Sequence, residues 1–146
     1  LPYFMEFRKK TVKLGAQFLC HPCGNQTKNA HMWAQPPGTF AVNFDFRTPL
    51  EQCVETFKST SMVVGNIEPA KFLTMDYDGI YNKTMEYLHI AATQCPHGYM
   101  VGPGCELPVD TPAVNLYAMI RATKDYAQSK EWQEHRPAHP LQWPQV

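Results

Sequence analysis

The sequence lacks any long hydrophobic run, since none of its apolar stretches approaches the roughly 20 residues that a transmembrane helix needs. It also lacks an excess of either charge, because 13 Lys and Arg residues balance 13 Asp and Glu residues. We therefore expect neither a membrane nor a nucleic acid as a partner. Cysteine is sparse for a disulfide-linked domain, with five residues, an odd number. This predicts reduced thiols and a cytoplasmic protein.

Enough apolar material is present for a folded domain. Hydrophobic residues make up 44% and aromatic residues 12% of the 146 residues, which is typical of a protein with a packed core. The chain begins at Leu1, without a methionine, and runs directly into a charged helical segment. This predicts that it has no secretion signal and is part of a longer protein. We expect residues 1–127 to form one domain and residues 128–146 to form an irregular tail.

Short apolar segments alternate with helical segments along the chain. Strands are predicted at residues 17–23, 39–46, 61–66 and 98–103. Helices are predicted near residues 3–15, 27–35, 48–58, 68–74, 78–94 and 112–127. The alternation predicts a parallel sheet, either in a small doubly wound fold or in half of a (β/α)8 barrel. In both architectures the active site lies at the carboxyl ends of the strands.

Turn and capping residues mark several helix ends. Pro36–Gly38 predicts a break before the second strand. Thr48, followed by Pro49 and Glu51, has the pattern of a capping box, and Asp110 is the expected cap of the last helix. In that helix four residues mark successive turns: Val114, Tyr117, Ile120 and Lys124.

Three residues that bind soft metals follow the first and fourth predicted strands. His21 and Cys23 are two residues apart, so a strand would place both side chains on one face. Cys105 lies in a Gly-Pro-Gly-Cys loop. One nitrogen and two sulfur ligands with an open fourth position are typical of catalytic zinc. A His-x-Cys pair without Cys105 would more often be an accident of packing than a metal site.

Two polar residues end the second and third predicted strands. Asp45 shares a strand face with Asn43, and it would either be a fourth, exchangeable metal ligand or cap a loop or pair with Arg47. Asn66 follows Gly65, and it would either line the pocket or satisfy the backbone of a turn. Asp45 and Asn66 are therefore the catalytic candidates.

The other three cysteines are predicted to pack in the core. Cys20 is one residue away from the face shared by His21 and Cys23, so it points toward the outer helices. Cys53 and Cys95 lie within or at the ends of helices. Buried cysteines of this kind behave as small hydrophobic residues.

Three segments of the chain together resemble a known family. They are His-Pro-Cys-Gly-Asn25, Val-Val-Gly-Asn-Ile-Glu-Pro69 and Gly-Pro-Gly-Cys-Glu-Leu-Pro-Val-Asp-Thr-Pro112. They resemble the uroporphyrinogen decarboxylase superfamily, and more narrowly its zinc-dependent corrinoid methyltransferase branch. The Gly-Asn-Ile-Glu-Pro segment is shared with the decarboxylases, whereas the His-x-Cys pair and the late Cys are specific to the methyltransferases. The resemblance covers residues 1 to about 127 and corresponds to the C-terminal half of the family's (β/α)8 barrel.

The resemblance implies a site, a reaction and partners. The implied site consists of the zinc ligands His21, Cys23 and Cys105, the catalytic candidates Asp45 and Asn66, and the cofactor-binding candidates Gly65, Asn66 and Gly104. The implied reaction is methyl transfer from a methylated corrinoid (cobalamin), held by a partner corrinoid protein, to a small thiol acceptor, or the reverse. A missing N-terminal half-barrel or a second copy of this chain would complete the barrel.

Two other functions are compatible with the same sequence. One is a decarboxylase-like protein that binds tetrapyrroles, a chemistry that needs no metal and would leave the His-x-Cys and late Cys residues unexplained. The other is a non-catalytic half-barrel that pairs with another half to close its sheet. Zinc content distinguishes the methyltransferase from both.

Overall fold

A computed structural model describes residues 2–35 and 39–136 of the chain. Its strands are β1 Phe18–Cys20, β2 Thr39–Asn43, β3 Met62–Val64 and β4 Tyr99–Met100. Its helices are α1 Pro2–Val12, α2 Ala30–Trp33, α3 Leu50–Phe57, α4 Lys71–Thr74, α5 Tyr77–Ala91, α6 Ala113–Ala127 and α7 Lys130–His135. None of these helices is both long enough and apolar enough to span a membrane.

The four strands form one parallel sheet in the order β1-β2-β3-β4. A doubly wound sheet reverses its strand order at a switch point, whereas consecutive strands of a (β/α)8 barrel are neighbours throughout. The unbroken order therefore identifies half of a (β/α)8 barrel and confirms the predicted fold. Within the described residues, β1 and β4 each have a strand neighbour on one side only.

The core lies between the sheet and the outer helices. Helix α3 places Leu50, Val54 and Phe57 at helical spacing toward β2, and the rings of Phe44 and Phe57 lie 5.3 Å apart. The buried cysteines belong to this same cluster: Cys20, Cys53 and Cys95. Their predicted packing role is confirmed.

Each strand ends earlier than predicted, which changes the setting of the polar residues. β1 ends at Cys20, so His21 and Cys23 lie in the loop that follows it, separated by Pro22. Proline has no amide N–H to donate to a neighbouring strand. Asp45 likewise lies beyond the end of β2. The prediction that His21, Cys23 and Asp45 lie within strands is therefore wrong. Hydrogen bonds of side chains position these residues instead.

The two predicted side-chain helix caps are absent. Pro49 and Pro112 occupy the N-cap positions of α3 and α6, and neither helix has a side-chain cap hydrogen bond. Thr48 is fully buried, and its Oγ1 accepts a hydrogen bond from the backbone N–H of Gln26 at 2.9 Å. A tertiary contact has therefore taken the hydroxyl that a capping box would use.

The buried face of α6 is formed by other residues than those that mark its turns in the sequence. The inward residues are Asn115, Ala118, Ala122 and Tyr126. The apolar residues Val114, Tyr117 and Ile120 are instead 54%, 56% and 47% exposed. Two of the inward residues are alanines, whereas the larger apolar residues lie on the exposed side of α6.

The tail prediction is wrong for part of its length. Lys130–His135 forms the short helix α7, and the Ser129 side chain caps it by accepting a hydrogen bond from the backbone N–H of Trp132. The predicted break at Pro36–Gly38 and the remainder of the tail, residues 137–146, lie outside the described residues.

We expect the Phe57→Ala variant to lose about 3–5 kcal/mol of unfolding free energy, because it removes a fully buried ring from the centre of the core. Tyr3→Ala is the control, since Tyr3 is 89% exposed and its loss should cost less than about 0.5 kcal/mol. Urea denaturation of both variants measures the difference. Equal destabilisation of the two variants would contradict this description of the core.

Candidate metal centre

Three potential metal ligands converge beyond the carboxyl ends of the strands. One ligand atom each from His21, Cys23 and Cys105 lies within 4.8 Å of the other two. The first two side chains are exposed and the third is half-buried. A nitrogen and two sulfurs are the donor set that zinc prefers, and the solvent-exposed side leaves room for a further ligand. The residues present therefore fit a zinc ion.

The imidazole of His21 is held by the end of β2. Its Nδ1 lies 2.6 Å from Oδ1 of Asn43 and 3.0 Å from the backbone oxygen of the same residue. Its Nε2 lies 3.2 Å from Sγ of Cys23. One ring nitrogen is thus engaged by the protein framework, and the other faces the cysteine sulfur.

The loop that contains Cys23 is held by side chains from elsewhere in the fold. The carboxylate of Asp45 accepts a hydrogen bond from the N–H of Gly24 at 2.9 Å. The side-chain amide of Gln26 donates to the backbone oxygen of Cys23 at 2.7 Å. These two bonds replace the sheet pairing that stops at Cys20.

Cys105 reaches the site because its loop packs against the neighbouring strand ends. The N–H of Ile67 donates to the oxygen of Gly102 at 2.9 Å, and the N–H of Gly104 donates to the oxygen of Ile67 at 2.8 Å. A Cβ atom on Gly104 would lie 2.6 Å from the backbone nitrogen of Phe46. Only glycine permits this close approach, so the geometry gives Gly104 a packing function.

Asp45 lies beside the three ligands without belonging to the group of converging atoms. Its side chain is almost fully buried, at 3% exposure. Oδ1 accepts from the N–H of Arg47 at 3.0 Å, while Oδ2 accepts from Gly24 and lies 3.7 Å from the guanidinium of Arg47. The carboxylate of Asp45 thus caps a loop and also pairs with Arg47. The sequence had left this arrangement open as the alternative to a fourth metal ligand.

Asn66 is buried, at 2% exposure. Its Nδ2 donates to the backbone oxygens of Asp45 at 3.2 Å and of Thr48 at 2.7 Å. Its Oδ1 has no hydrogen-bond partner among the described residues. Asn66 therefore supports the turn that contains Asp45. Gly65 precedes Asn66 through a cis peptide bond. It lies next to the side-chain amide of Asn43, which contacts His21.

The surroundings of Cys23 disfavour its thiolate when no cation is present. The hydrogen bond with the Cys105 thiol is the main cause that raises the pKa of Cys23 above its usual value. Desolvation and the negative charge of Asp45 act in the same direction, while Arg47 lowers the pKa. A divalent cation would reverse this balance, because it stabilises both thiolates.

Sequence reasoning did not assign a role to Asn43, although alternation placed it on the same face as Asp45. The available signal was that a polar amide occupies a strand residue whose neighbours Ala41 and Val42 are apolar. The partners of the amide lie on three other segments, and no local pattern reveals them.

Residues 1–126 match the uroporphyrinogen decarboxylase (URO-D) family. The match covers most of the chain, so the chain belongs to this family. Its four-stranded parallel sheet is half of a (β/α)8 barrel.

The chain is also similar to a curated protein, the methylcobamide:CoM methyltransferase MtbA of Methanosarcina acetivorans. The two are 25% identical over 130 residues, which is 85% of this chain and 36% of that protein. The chain thus spans little more than a third of the length of this relative.

We expect thiol alkylation to distinguish two accessible cysteines from two buried ones. Iodoacetamide should label Cys23 and Cys105, faster as the pH rises, because the raised pKa of Cys23 leaves little thiolate at neutral pH. Cys53 and Cys95 should react only after unfolding, because burial raises their pKa values to about 12 and about 11. Peptide mass spectrometry measures the labelling, and rapid native labelling of Cys53 would contradict the structure.

Proposed function

We propose that this chain provides the zinc-binding half of an enzyme that transfers a methyl group between a methylated corrinoid and a small thiol. The observation that supports the proposal is the convergence of His21, Cys23 and Cys105 to within 4.8 Å of one another. The similarity to a methylcobamide:CoM methyltransferase adds to it. We propose that a partner corrinoid protein holds the corrinoid, as the similarity to a methylcobamide-dependent methyltransferase suggests.

The donor set suits the chemistry of a thiol acceptor. A free thiol is mostly protonated at neutral pH, and its thiolate is the nucleophile. Zinc bound by His21, Cys23 and Cys105 would supply a Lewis acid that keeps the acceptor sulfur deprotonated. Two cysteine thiolates offset the charge of the ion, so the acceptor sulfur would retain electron density for nucleophilic attack.

The residues around the ligands would orient them and limit their motion. Asp45 holds the loop after Cys23 and adds a buried negative charge next to it. Asn66 supports the turn that contains Asp45, because its Nδ2 donates a hydrogen bond to the backbone oxygen of Asp45. Gly65 and Gly104 admit neighbouring groups closely, since an added Cβ atom would lie 2.5 Å from Nδ2 of Asn43 at Gly65 and 2.6 Å from the backbone nitrogen of Phe46 at Gly104. We therefore propose supporting functions for these four residues.

The remainder of the barrel would complete the active site. The outer side of β4 and α6 forms an apolar groove of about 530 Å³ whose lining includes Met100, Met119 and Ile120. On the opposite edge Leu19 of β1 is 57% exposed. Open sheet edges and apolar patches of this kind favour association. We propose that residues 1–127 are one half-barrel and that the N-terminal half of the family's barrel covers both edges.

All five cysteines are free thiols. Two of them, Cys23 and Cys105, are accessible to solvent. Exposed thiols that must bind metal are best preserved in a reducing compartment, so we propose that the protein acts in the cytoplasm.

We expect the 146-residue chain to bind about one zinc ion and its Cys105→Ala variant to lose stoichiometric zinc. The same substitution in the full-length protein should abolish methyl transfer. The fold should persist, because Cys105 is on a loop and contributes little to the core. Metal analysis and methylcobalamin-dependent alkylation of a small thiol are the measurements. Glu106→Gln is the matched control, since it changes the exposed neighbouring residue.

The outcome also distinguishes the competing functions. A wild-type chain without zinc that binds a tetrapyrrole would support the decarboxylase-like alternative. A chain that binds neither would support the non-catalytic half-barrel. Zinc retained at full stoichiometry in Cys105→Ala would contradict the proposed ligand set.

We expect Ile120→Asp to destabilise the full-length protein by about 3 kcal/mol, because the substitution would bury an unpaired charge under the other half-barrel. The same change in the 146-residue chain alone should cost far less, since Ile120 is 47% exposed there. Val109→Asp is the control, because Val109 is fully exposed and does not line the groove. Urea denaturation provides the comparison, and equal effects in both proteins would contradict the proposed cover.

A further inference from the structure

We propose that Asn43 is a positioning residue that sets the tautomer of His21 and joins the two separate loops of the metal centre. The inference rests on the proposed function in one respect, that His21 is a metal ligand. The orientation of the Asn43 side-chain amide determines which ring nitrogen of His21 bears hydrogen, because one end of the amide donates and the other accepts.

The surroundings of the amide settle its orientation. One end lies 3.0 Å from the backbone oxygen of Val64 and 3.3 Å from that of Pro103. Both of these oxygens can only accept a hydrogen bond, so the atom that faces them must be the NH₂ group. The amide oxygen of Asn43 therefore faces the imidazole of His21.

The orientation of the amide determines the tautomer of the imidazole. Nδ1 of His21 is 2.6 Å from the amide oxygen of Asn43 and 3.0 Å from its backbone oxygen. Two acceptors require a donor between them, so Nδ1 bears the hydrogen. In the neutral ring the lone pair is then on Nε2, which lies 3.2 Å from Sγ of Cys23. The imidazole thus presents its metal-binding nitrogen to the other ligands before any ion is bound.

The same amide connects the loop of Cys105 to the site. Pro103, which accepts from the amide of Asn43, is two residues before Cys105. One side chain on β2 therefore contacts the histidine ligand and the loop of the distant cysteine ligand. Its removal would loosen both parts of the ligand set.

Gly65 makes room for this arrangement. A Cβ atom on Gly65 would lie 2.5 Å from Nδ2 of Asn43, and its φ of +105° is a conformation that L side chains rarely adopt. Gly65→Ala would therefore displace the Asn43 amide without altering any ligand. Gly102→Ala is a matched control on the neighbouring loop, because a Cβ there would meet nothing within 4 Å.

The first test is ¹⁵N NMR of the histidine rings in the metal-free full chain, with the His21 signal assigned by its loss in His21→Ala. In the wild type we expect the neutral Nδ1–H tautomer at His21. In Asn43→Ala we expect a population of the Nε2–H form, because the shortest contact of Nδ1 is gone. A purely structural role of Asn43 would leave the tautomer unchanged.

The second test is zinc affinity, measured by competition with a fluorescent chelator. Asn43→Ala should bind zinc about 10–100-fold more weakly than the wild type, Gly65→Ala should be weakened in the same direction, and Gly102→Ala should match the wild type. Circular dichroism checks the fold of each variant, and if Gly65→Ala fails to fold, Asn43→Ala and the NMR result decide.

Three outcomes separate the inference from the proposed function. An Nε2–H tautomer in the wild type, or unchanged zinc affinity in folded Asn43→Ala, overturns the inference and leaves the function intact. A wild type that does not bind zinc overturns the function, while the NMR result still decides whether Asn43 sets the tautomer. Both expected results together support the inference.

Discussion

The metal centre depends on the hydrogen bonds made at the carboxyl end of β2. His21 and Cys23 lie past the last paired residue of β1, so no sheet pairing fixes them. Asn43 contacts the histidine and Asp45 binds the backbone after the cysteine. These two side chains come from one short segment of chain, which places both ligands relative to a single rigid element. Ligands supported in this way lose less entropy when a metal binds.

The five cysteines show how environment separates residues of one type. Cys53 and Cys95 are buried among apolar side chains, and burial raises their pKa values far above the usual range. Cys23 also has a raised pKa, but its main cause is the neighbouring thiol of Cys105. A cation can lower the pKa of Cys23, because it would interact directly with the sulfurs of Cys23 and Cys105. It has no access to the buried sulfurs of Cys53 and Cys95. Exposure and mutual proximity therefore distinguish the two candidate ligand cysteines from the buried ones.

The chain belongs to a family of barrel proteins, but its described sheet has four strands and two open edges. The apolar residues on those edges and on the outer side of α6 are surfaces that a complete barrel would bury. The three candidate metal ligands follow the outermost strands, β1 and β4, and a packed loop brings Cys105 across the strand ends. The three candidate ligands consequently converge within the described residues, and we propose that the other half supplies the enclosure that excludes water from a reaction.

The amino-acid sequence by itself determined the strand–helix alternation, the parallel sheet and the types of residue at the strand ends. These features follow from local periodicity and from side-chain chemistry, which neighbouring residues reveal. Only the tertiary structure decided that Thr48 binds Gln26 instead of capping its helix, that Asp45 caps a loop, and that Asn43 contacts the loop of Cys105. The physical reason is distance along the chain: the bond from Asn43 to Pro103 joins residues 60 apart, and such partners become neighbours only after the sheet has formed.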